Sequence, residues 1–229
     1  MINIAIDGTV GSGKSTLARG IAHRLGFHVL DTGAIYRALA CSFRDEKHNK
    51  IDEQEVEEFI KDKNIEVFFV GKNQHVSVNA IDYTNMLREE EISNLASQIS
   101  PYPVLREKVR ELQQEFAKKY DCIIEGRDIA TDVLPNADFK FFLTAKPEIR
   151  AMRRYQQSQE KNISYGEVLK DLKERDYRDE HREVAPLNPA KDSVIVDNSQ
   201  MTLEQTIEYC LNIINKKYDK YGKNKRIKQ

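Results

Sequence analysis

The feature that most constrains this chain is a glycine-rich loop, GTVGSGKS at residues 8–15, between an apolar run and an amphipathic segment. Residues 2–6 are apolar apart from Asn3 and indicate a buried strand, whereas Leu17, Ile21 and Leu25 recur as one face of a helix. In such a unit the glycines let backbone N–H groups turn inward around a polyanion, and the helix start adds a favourable dipole. The loop therefore predicts a site for the phosphates of a nucleoside triphosphate.

Two side chains of this loop carry the predicted chemistry. Lys14 can reach the outer phosphates, and the Ser15 hydroxyl can ligate the magnesium ion that accompanies them. The alternative is a turn that binds nothing, but the spacing, the Lys–Ser pair and the flanking elements all agree with a phosphate loop. We expect nucleotide contacts from Gly8, Thr9, Val10, Gly11, Ser12, Gly13, Lys14, Ser15 and Thr16.

Length and composition limit the possible classes of protein. A chain of 229 residues suits one α/β core with a small insert or lid, but not two full domains. The net charge of -1 argues against a dedicated nucleic-acid-binding protein. No apolar run approaches the roughly 20 residues that span a bilayer, no signal-peptide pattern opens the sequence, and the three cysteines lack metal-ligand spacing. We expect a cytoplasmic protein with reduced thiols and no nucleic acid or membrane partner.

Short apolar segments further along predict a parallel sheet with helices between its strands. Besides the first strand, the predicted strands are residues 27–30, 122–124, 139–143 and 194–196. Helices are predicted at residues 53–61, 88–100, 104–120, from Pro147, at 164–182 and at 202–218. Residues 65–70 and 76–79, with a turn at 71–73, predict an antiparallel hairpin within an insert of about 35 residues.

A charged helical segment late in the chain has two interpretations. Its spacing places Arg175, Arg178 or Asp179, and Arg182 on one helical stripe, which in a lid could supply guanidinium groups to a phosphate in transit. The other interpretation is a solvated helix with surface salt bridges, since Arg175 and Asp179 are four residues apart. Composition alone favours the solvated helix.

Polar residues also follow the predicted strands, at the sheet edge where ligands bind. Arg37 and Arg127 would form a second anion site there, although either could be an ordinary surface arginine. Asp7 and Asp31 are either structural caps or ligands of a metal through water. Glu125 is the nearest carboxylate after its strand, so magnesium ligation beyond Ser15 has little sequence support.

Several segments together resemble the bacterial cytidylate kinases. They are the glycine loop, LDTGAIYR at residues 30–37, ASQ at 96–98, EGRD at 125–128, and ERD at 174–176 through REVAPL at 182–187 and Pro189-Ala190. The resemblance runs from residue 4 to about 203, and the last segment is highly specific in combination. For the charged helical segment that contains Arg175 and Arg182, the resemblance favours a lid over a solvated helix. Thr9, where proline is frequent, and Thr32, where serine is frequent, depart from the family pattern without removing a needed group.

The resemblance implies an α/β fold of the P-loop nucleoside monophosphate kinase type. This fold has a parallel five-stranded core sheet flanked by helices, a lid, and a small β-containing insert in the monophosphate-binding region. Within one domain, residues 1–229, the implied core is 1–36, 104–150 and 190–220. The monophosphate-binding region with its insert covers about 37–103, the lid about 151–187, and the basic tail is 219–229.

The resemblance also implies roles for individual residues. The implied CMP contacts are Thr32, Tyr36, Arg37, Ser97, Arg106, Arg127, Asp128, Arg175, Asp179 and Arg182. Among them Arg37, Arg127 and Arg182 would grip the acceptor phosphate; Ser97, Arg106 and Asp128 would bind the cytosine edge; Arg175 and Asp179 would meet the ribose. Arg153 and Arg154 would lie in the lid and could touch the donor phosphates. The implied catalytic set is Lys14, Arg127, Arg178 and Arg182, with Ser15 holding magnesium indirectly.

The implied reaction transfers the γ-phosphoryl group of ATP, with Mg²⁺, to CMP or dCMP in pyrimidine nucleotide metabolism. An aspartate accepts a hydrogen bond from the cytosine amine, whereas uracil would present a carbonyl to Asp128, so UMP should be a poor substrate. UMP, dTMP or shikimate as acceptor, and a nucleotide-dependent switch or small ATPase, are the alternatives. We expect a monomer, because both the lid and the monophosphate-binding region must move.

Overall fold

The computed structural model describes residues 1–48, 50–87, 89–157 and 163–220. Its strands are β1 (Asn3–Gly8), β2 (His28–Asp31), β3 (Ile65–Val70), β4 (Asn73–Val78), β5 (Ile81–Asp82), β6 (Cys122–Glu125), β7 (Phe139–Thr144) and β8 (Val194–Asp197). Its α-helices are α1 (Lys14–Leu25), α2 (Thr32–Asp45), α3 (Glu53–Lys61), α4 (Glu90–Ile99), α5 (Pro103–Lys119), α6 (Pro147–Gln157), α7 (Tyr165–His181) and α8 (Leu203–Lys220). The predicted helix start at residue 88 and residues 221–229 of the basic tail lie outside the described residues.

Five of the strands form the predicted parallel sheet, which is confirmed. Their order is β2-β6-β1-β7-β8, so β1 lies at the centre and delivers the glycine loop to the middle of one sheet edge. The carboxyl ends of β2 and β6 meet the same edge, because Asp31 is in register with Glu125. In parallel sheets this edge, where the strand order reverses, is the usual place for ligands.

Helices cover both faces of the sheet, as the two faces of β1 require. Ile4 and Ile6 pack with α1 and α8 on one face, and Ala5 belongs to the larger cluster formed with α2 and α5 on the other. A strand buried on both faces is apolar at nearly every position, which explains the apolar run that precedes the loop. Helix α1 ends at Gly26, whose φ of 70° closes the helix in the left-handed conformation.

The predicted hairpin is confirmed, and the structure adds a third strand to it. Strands β3 and β4 pair antiparallel, and the two-residue strand β5 pairs with the far side of β4. Strand β4 begins at Asn73, so the turn comprises only Gly71 and Lys72 and is shorter than predicted. Val76 and Val78 are buried against the core cluster of α2 and α5, which fixes the insert to the body of the fold.

Helices α6 and α7 form a separate helical pair with its own small cluster of Ala151, Val168 and Leu172. Helix α7 begins with a capping box in which Ser164 and Glu167 satisfy each other's backbone N–H groups. None of the helices in the described ranges combines the length and apolarity needed to cross a bilayer.

Candidate active site

A cleft of about 1240 Å³ opens above the carboxyl edge of the sheet. Its walls come from the glycine loop, the ends of β2 and β6, helices α4 and α5, the α6–α7 pair and the start of α8. Sites for one small molecule usually occupy about 300–1,000 Å³, so the cleft has room for two ligands.

The glycine loop forms the floor of this cleft. Gly8 has a φ of 148°, and a Cβ there would lie 1.9 Å from the carbonyl oxygen of Leu143, so no other residue fits beside β7. Gly13 has a φ of 93° and turns the chain directly into α1. The Ser12 hydroxyl donates to the Thr9 carbonyl at 2.9 Å and tightens the loop between them. The loop thus directs the N-terminus of α1, the end that favours anions, into the cleft.

Lys14 lies buried within its own loop. Its Nζ donates to the carbonyl oxygens of Gly8 at 2.9 Å and Thr9 at 2.8 Å. Burial, assisted by the nearby charge of Arg127, lowers the pKa of Lys14, and burial raises the pKa of neighbouring Glu125. The negative charge of a phosphate would favour the charged form of Lys14.

The oxygen ligands at this position fit a magnesium ion. Glu125 is buried next to the Ser15 hydroxyl, and its Oε1 atom has no hydrogen-bond partner in the described part of the chain. Mg²⁺ prefers hard oxygen ligands and is commonly held by one or two protein groups together with water and phosphate. A hydroxyl and an unsatisfied carboxylate oxygen are such groups.

Asp7 is a structural cap, which decides between the two roles that the sequence left open. Its carboxylate accepts from the N–H groups of Ile129 at 2.9 Å and Ala130 at 2.7 Å, at the start of a π-helical turn, Ile129–Val133. Burial raises the pKa of Asp7 to about 6, although these two hydrogen bonds oppose the shift. The cap fixes the chain immediately after Asp128.

Arginine–aspartate pairs connect the sheet edge with α7. Arg127 donates through Nε to Asp179 at 2.7 Å, and Arg182 Nη2 lies 3.5 Å from Asp128 Oδ1. At the end of β2, Asp31 caps α2 through the Ala34 N–H and also accepts from Arg37 Nη2 at 3.3 Å. Guanidinium groups therefore converge on one region of the cleft, as an anion site requires.

A buried ion pair forms another part of the cleft wall. Arg106 of α5 donates to Asp128, and both side chains are less than a tenth exposed. Burial raises the pKa of Asp128, whereas the guanidinium groups of Arg106 and Arg182 oppose that shift. Tyr36 lines the cleft nearby, and burial raises its pKa to about 12. An acceptor, a guanidinium and a phenol on one wall can bind the polar edge of a flat ring.

The cleft brings together most of the predicted site residues. Those that line it are Val10, Gly11, Ser12, Gly13, Lys14, Ser15, Thr16, Thr32, Tyr36, Arg37, Ser97, Arg106, Arg127, Asp128, Arg153, Arg154, Arg175, Asp179 and Arg182. Gly8 and Thr9 lie outside the lining, at the start of the loop. Arg178 is exposed on α7 and is not brought into the cleft, because it lies one helical step, about 100°, from the face of Asp179.

Three residues that hold the site together were missed by the sequence analysis. The side chain of Asn198, directly after β8, donates to the Ser12 carbonyl at 2.9 Å and accepts from Arg153 at 3.0 Å. Arg150 and Asp176 contact the loop at Val10. The position of Asn198 at a strand's carboxyl end is a signal that could have identified it. Asp176 belongs to the ERD segment that carries the resemblance, but nothing in that segment indicates a contact with the loop.

The fold and the cleft together define a P-loop kinase with room for a phosphate donor and an acceptor. The chain belongs to the cytidylate kinase family, whose sequence model matches residues 4–216. A cytidylate kinase from Thermodesulfovibrio yellowstonii is 44% identical to it, and the alignment covers 91% of this chain and 95% of that protein. A cytidylate kinase from Lactobacillus gasseri is 40% identical, with 95% of each chain covered. Cytidylate kinase 1 from Haemophilus influenzae is 38% identical, with 91% of each chain covered.

Solved structures with lower identity share the fold. A gluconokinase from Sinorhizobium meliloti superposes with a TM-score of 0.51 at 12% identity, covering 97% of each chain. A protein of unassigned function from Eubacterium ventriosum superposes with a TM-score of 0.54 at 13% identity, covering 94% of this chain and 98% of that one. These similarities concern the fold alone.

Proposed function

We propose that this protein transfers the γ-phosphoryl group of ATP to CMP or dCMP, giving ADP and CDP or dCDP, in pyrimidine nucleotide metabolism. The observation that carries the proposal is the buried Arg106–Asp128 pair on the wall of a cleft whose floor is the phosphate loop. Membership of the cytidylate kinase family agrees with it.

The acceptor base would be selected by hydrogen-bond polarity. Asp128 accepts from the exocyclic amine of cytosine, while Arg106 and the Ser97 hydroxyl donate to its ring nitrogen and carbonyl. Uracil would place a carbonyl oxygen against the Asp128 carboxylate. Both groups are hydrogen-bond acceptors, so no hydrogen bond can form between them and uracil is disfavoured. Thr32 and Tyr36 would complete this part of the pocket.

The acceptor phosphate would be bound by Arg37, Arg127 and Arg182, and the ribose by Arg175 and Asp179. The first three arginines contact Asp31, Asp179 and Asp128 in the structure, so their guanidinium groups already lie at the cleft. A phosphate entering among them forms charge-assisted hydrogen bonds with donors whose positions are largely set.

The donor would lie on the phosphate loop, with Gly8 through Thr16 around its phosphates and Arg153 at its side. Ser15 and Glu125 would hold magnesium, which when bound would neutralise phosphate charge. Lys14, Arg127 and Arg182 would stabilise the charge that develops on the transferred group. No side chain needs to become covalently modified.

Closure of the α6–α7 pair would complete the site and exclude water. In this proposal residues 151–187 form the lid, about 37–103 the monophosphate-binding region, and 1–36, 104–150 and 190–220 the core, with 219–229 as a basic tail. Arg178 belongs to the catalytic set through its motif, and lid closure would have to bring it to the phosphate. We propose a monomeric cytoplasmic enzyme, because both mobile parts must remain free.

The proposal is tested by ADP release from ATP and magnesium with CMP, dCMP, UMP, dTMP, AMP and shikimate offered separately. Turnover confined to the two cytidine nucleotides is the expected result. Turnover with UMP, dTMP, AMP or shikimate instead would keep the kinase but contradict the assignments of base recognition, Asp128 among them. ADP release that ignores every acceptor would indicate an ATPase or a nucleotide-dependent switch.

A further inference from the structure

The backbone of the phosphate loop is held from behind by two buried charges. The Val10 N–H donates to Asp176 Oδ1 at 3.1 Å, and the Val10 carbonyl accepts from Arg150 Nη1 at 2.7 Å. The same Nη1 donates to Asp176 Oδ2 at 2.7 Å. Both polar groups of one loop residue are therefore bound by an arginine of α6 and an aspartate of α7, which also bind each other.

This pair differs from the other contacts between α6 and α7. Arg150 is 3% exposed and Asp176 8% exposed, and Arg150 Nε donates to the Ala145 carbonyl at 2.7 Å. By contrast, Lys173 and Glu148 join the same two helices at 3.8 Å, but their side chains are more than half exposed. A buried ion pair is maintained only when its geometry is good and its remaining hydrogen bonds are satisfied. The loop backbone supplies those bonds here.

Neither Arg150 nor Asp176 lines the cleft, so any effect on the reaction must pass through other residues. Asp176 directly follows Arg175, which lines the cleft, so its hydrogen bonds with Val10 and Arg150 hold this part of α7 beside the loop. Arg150 lies in the first turn of α6, which packs against the loop at Gly11. A Cβ added to Gly11 would lie only 3.6 Å from the Cβ of Arg150. The pair thus relates the phosphate cradle to the helix that carries Arg175 and Asp179.

We propose that Arg150 and Asp176 are positioning residues that couple the α6–α7 pair to the phosphate loop, so that donor phosphates are bound correctly only while the pair is intact. This inference rests on the proposed function for its kinetic readout. The coupling depends on the hydrogen bonds to Val10, and apolar packing of the same volume cannot replace them.

The test compares Asp176→Asn with the double variant Arg150→Met/Asp176→Leu. The single variant leaves the charge of Arg150 buried without its partner and is expected to lower the melting temperature. The double variant removes both charges and keeps apolar volume, a replacement that is often neutral for stability. We expect it to fold and to melt roughly 5–20 °C below the wild type, because the buried Val10 N–H and carbonyl lose their partners at about 1–3 kcal/mol each. Below that transition we expect KM for ATP to rise and kcat to fall by about 10- to 100-fold together.

Glu148→Gln/Lys173→Gln is the matched control, because it removes a charge pair between the same helices that does not contact the loop. It is expected to keep kcat and both KM values within about twofold of the wild type. The Kd of CMP in the absence of ATP, measured by calorimetry, should change less than about threefold in the Arg150→Met/Asp176→Leu variant, since Arg127–Asp179 and Arg182–Asp128 still hold the end of α7.

A folded double variant with wild-type kcat and KM for ATP would overturn the proposal, because the pair would then be structural only. An equal loss in the Glu148/Lys173 control would also overturn it. If the wild type itself does not phosphorylate CMP, the proposed function fails, and the coupling is then decided by the Kd of ATP, measured by calorimetry. That Kd should rise about tenfold in the double variant and stay unchanged in the control.

Discussion

Replacing Asp128 by asparagine isolates the group that we assign to base recognition. The two side chains have the same shape, but the amide presents an N–H donor where the carboxylate presents an acceptor. With cytosine the amide loses a hydrogen bond to a charged group, which contributes about 1.5–3 kcal/mol. We therefore expect kcat/KM for CMP to fall by about 10- to 150-fold. For UMP the amide can donate to the uracil carbonyl, so kcat/KM should rise.

The same substitution has a predictable effect on stability. Arg106 loses a buried charged partner, and breaking such a pair costs about 3–5 kcal/mol when one charge is left alone. Arg106 keeps Asp132 at 3.7 Å and the Ser100 carbonyl at 3.4 Å, and the burial that raises the pKa of Asp128 no longer opposes folding. The free energy of unfolding should therefore fall by an amount near the lower end of that range. The kinetics should be measured at a temperature below the variant's melting transition.

Asp132→Asn is the matched control for this experiment. Asp132 contacts Arg106 at 3.7 Å and Arg110 at 3.3 Å, but it does not line the cleft. It changes the charge beside Arg106 without changing the group that faces the base, so the ratio of kcat/KM for CMP and UMP should stay within about threefold of the wild type. An unchanged ratio in Asp128→Asn would refute the assignment, and so would an equal change in Asp132→Asn.

Three further predictions concern the loop, the insert and the sheet edge. Lys14→Ala should lower kcat about 10²- to 10³-fold without lowering the melting temperature, because it removes a transition-state donor and also a buried cation. Wild-type kcat would contradict the loop assignment. Gln74→Ala should cost about 1–3 kcal/mol in chemical denaturation, since the Gln74 amide donates to the Asp31 carbonyl at 3.0 Å and accepts from its N–H at 2.7 Å. An unchanged denaturation midpoint would show that these hydrogen bonds between Gln74 and Asp31 do not stabilise the fold. Asp7, with its pKa raised from 3.8 to about 6, binds a proton more readily when folded, so its contribution to stability falls by about 2 kcal/mol as pH rises from 4 to 7. The difference in unfolding free energy between wild type and Asp7→Asn should change by that amount, and a constant difference would contradict it.

The parts of the molecule that follow from local sequence were predicted well. The loop, α1 and the strands that bring Asp31 and Glu125 to one edge depend on short-range patterns, namely glycine spacing, helical periodicity and apolar runs. Two of the three residues assigned to cytosine, Ser97 and Arg106, came only from the resemblance, because on pattern alone each is an ordinary polar residue on a helix.

Long-range contacts are what the sequence could not provide. Val10 and Asp176 are 166 residues apart, and Asp7 is 122 residues from the N–H of Ile129 that it caps. Strand β5 has only two residues, too few for a periodic pattern, and it exists because β4 offers an open edge. The stripe on α7 left Arg178 or Asp179 open, and the packing of the helix against the cleft places Asp179 there.

The central claim is that the phosphate loop and the Arg106–Asp128 wall serve one phosphoryl transfer. The most direct measurement follows the label of [γ-³²P]ATP in the presence of magnesium and CMP, with the products separated by chromatography. The account predicts that the label appears in CDP, with little in inorganic phosphate and far less transferred when UMP replaces CMP at the same concentration. Label released as inorganic phosphate at a rate independent of CMP would contradict it.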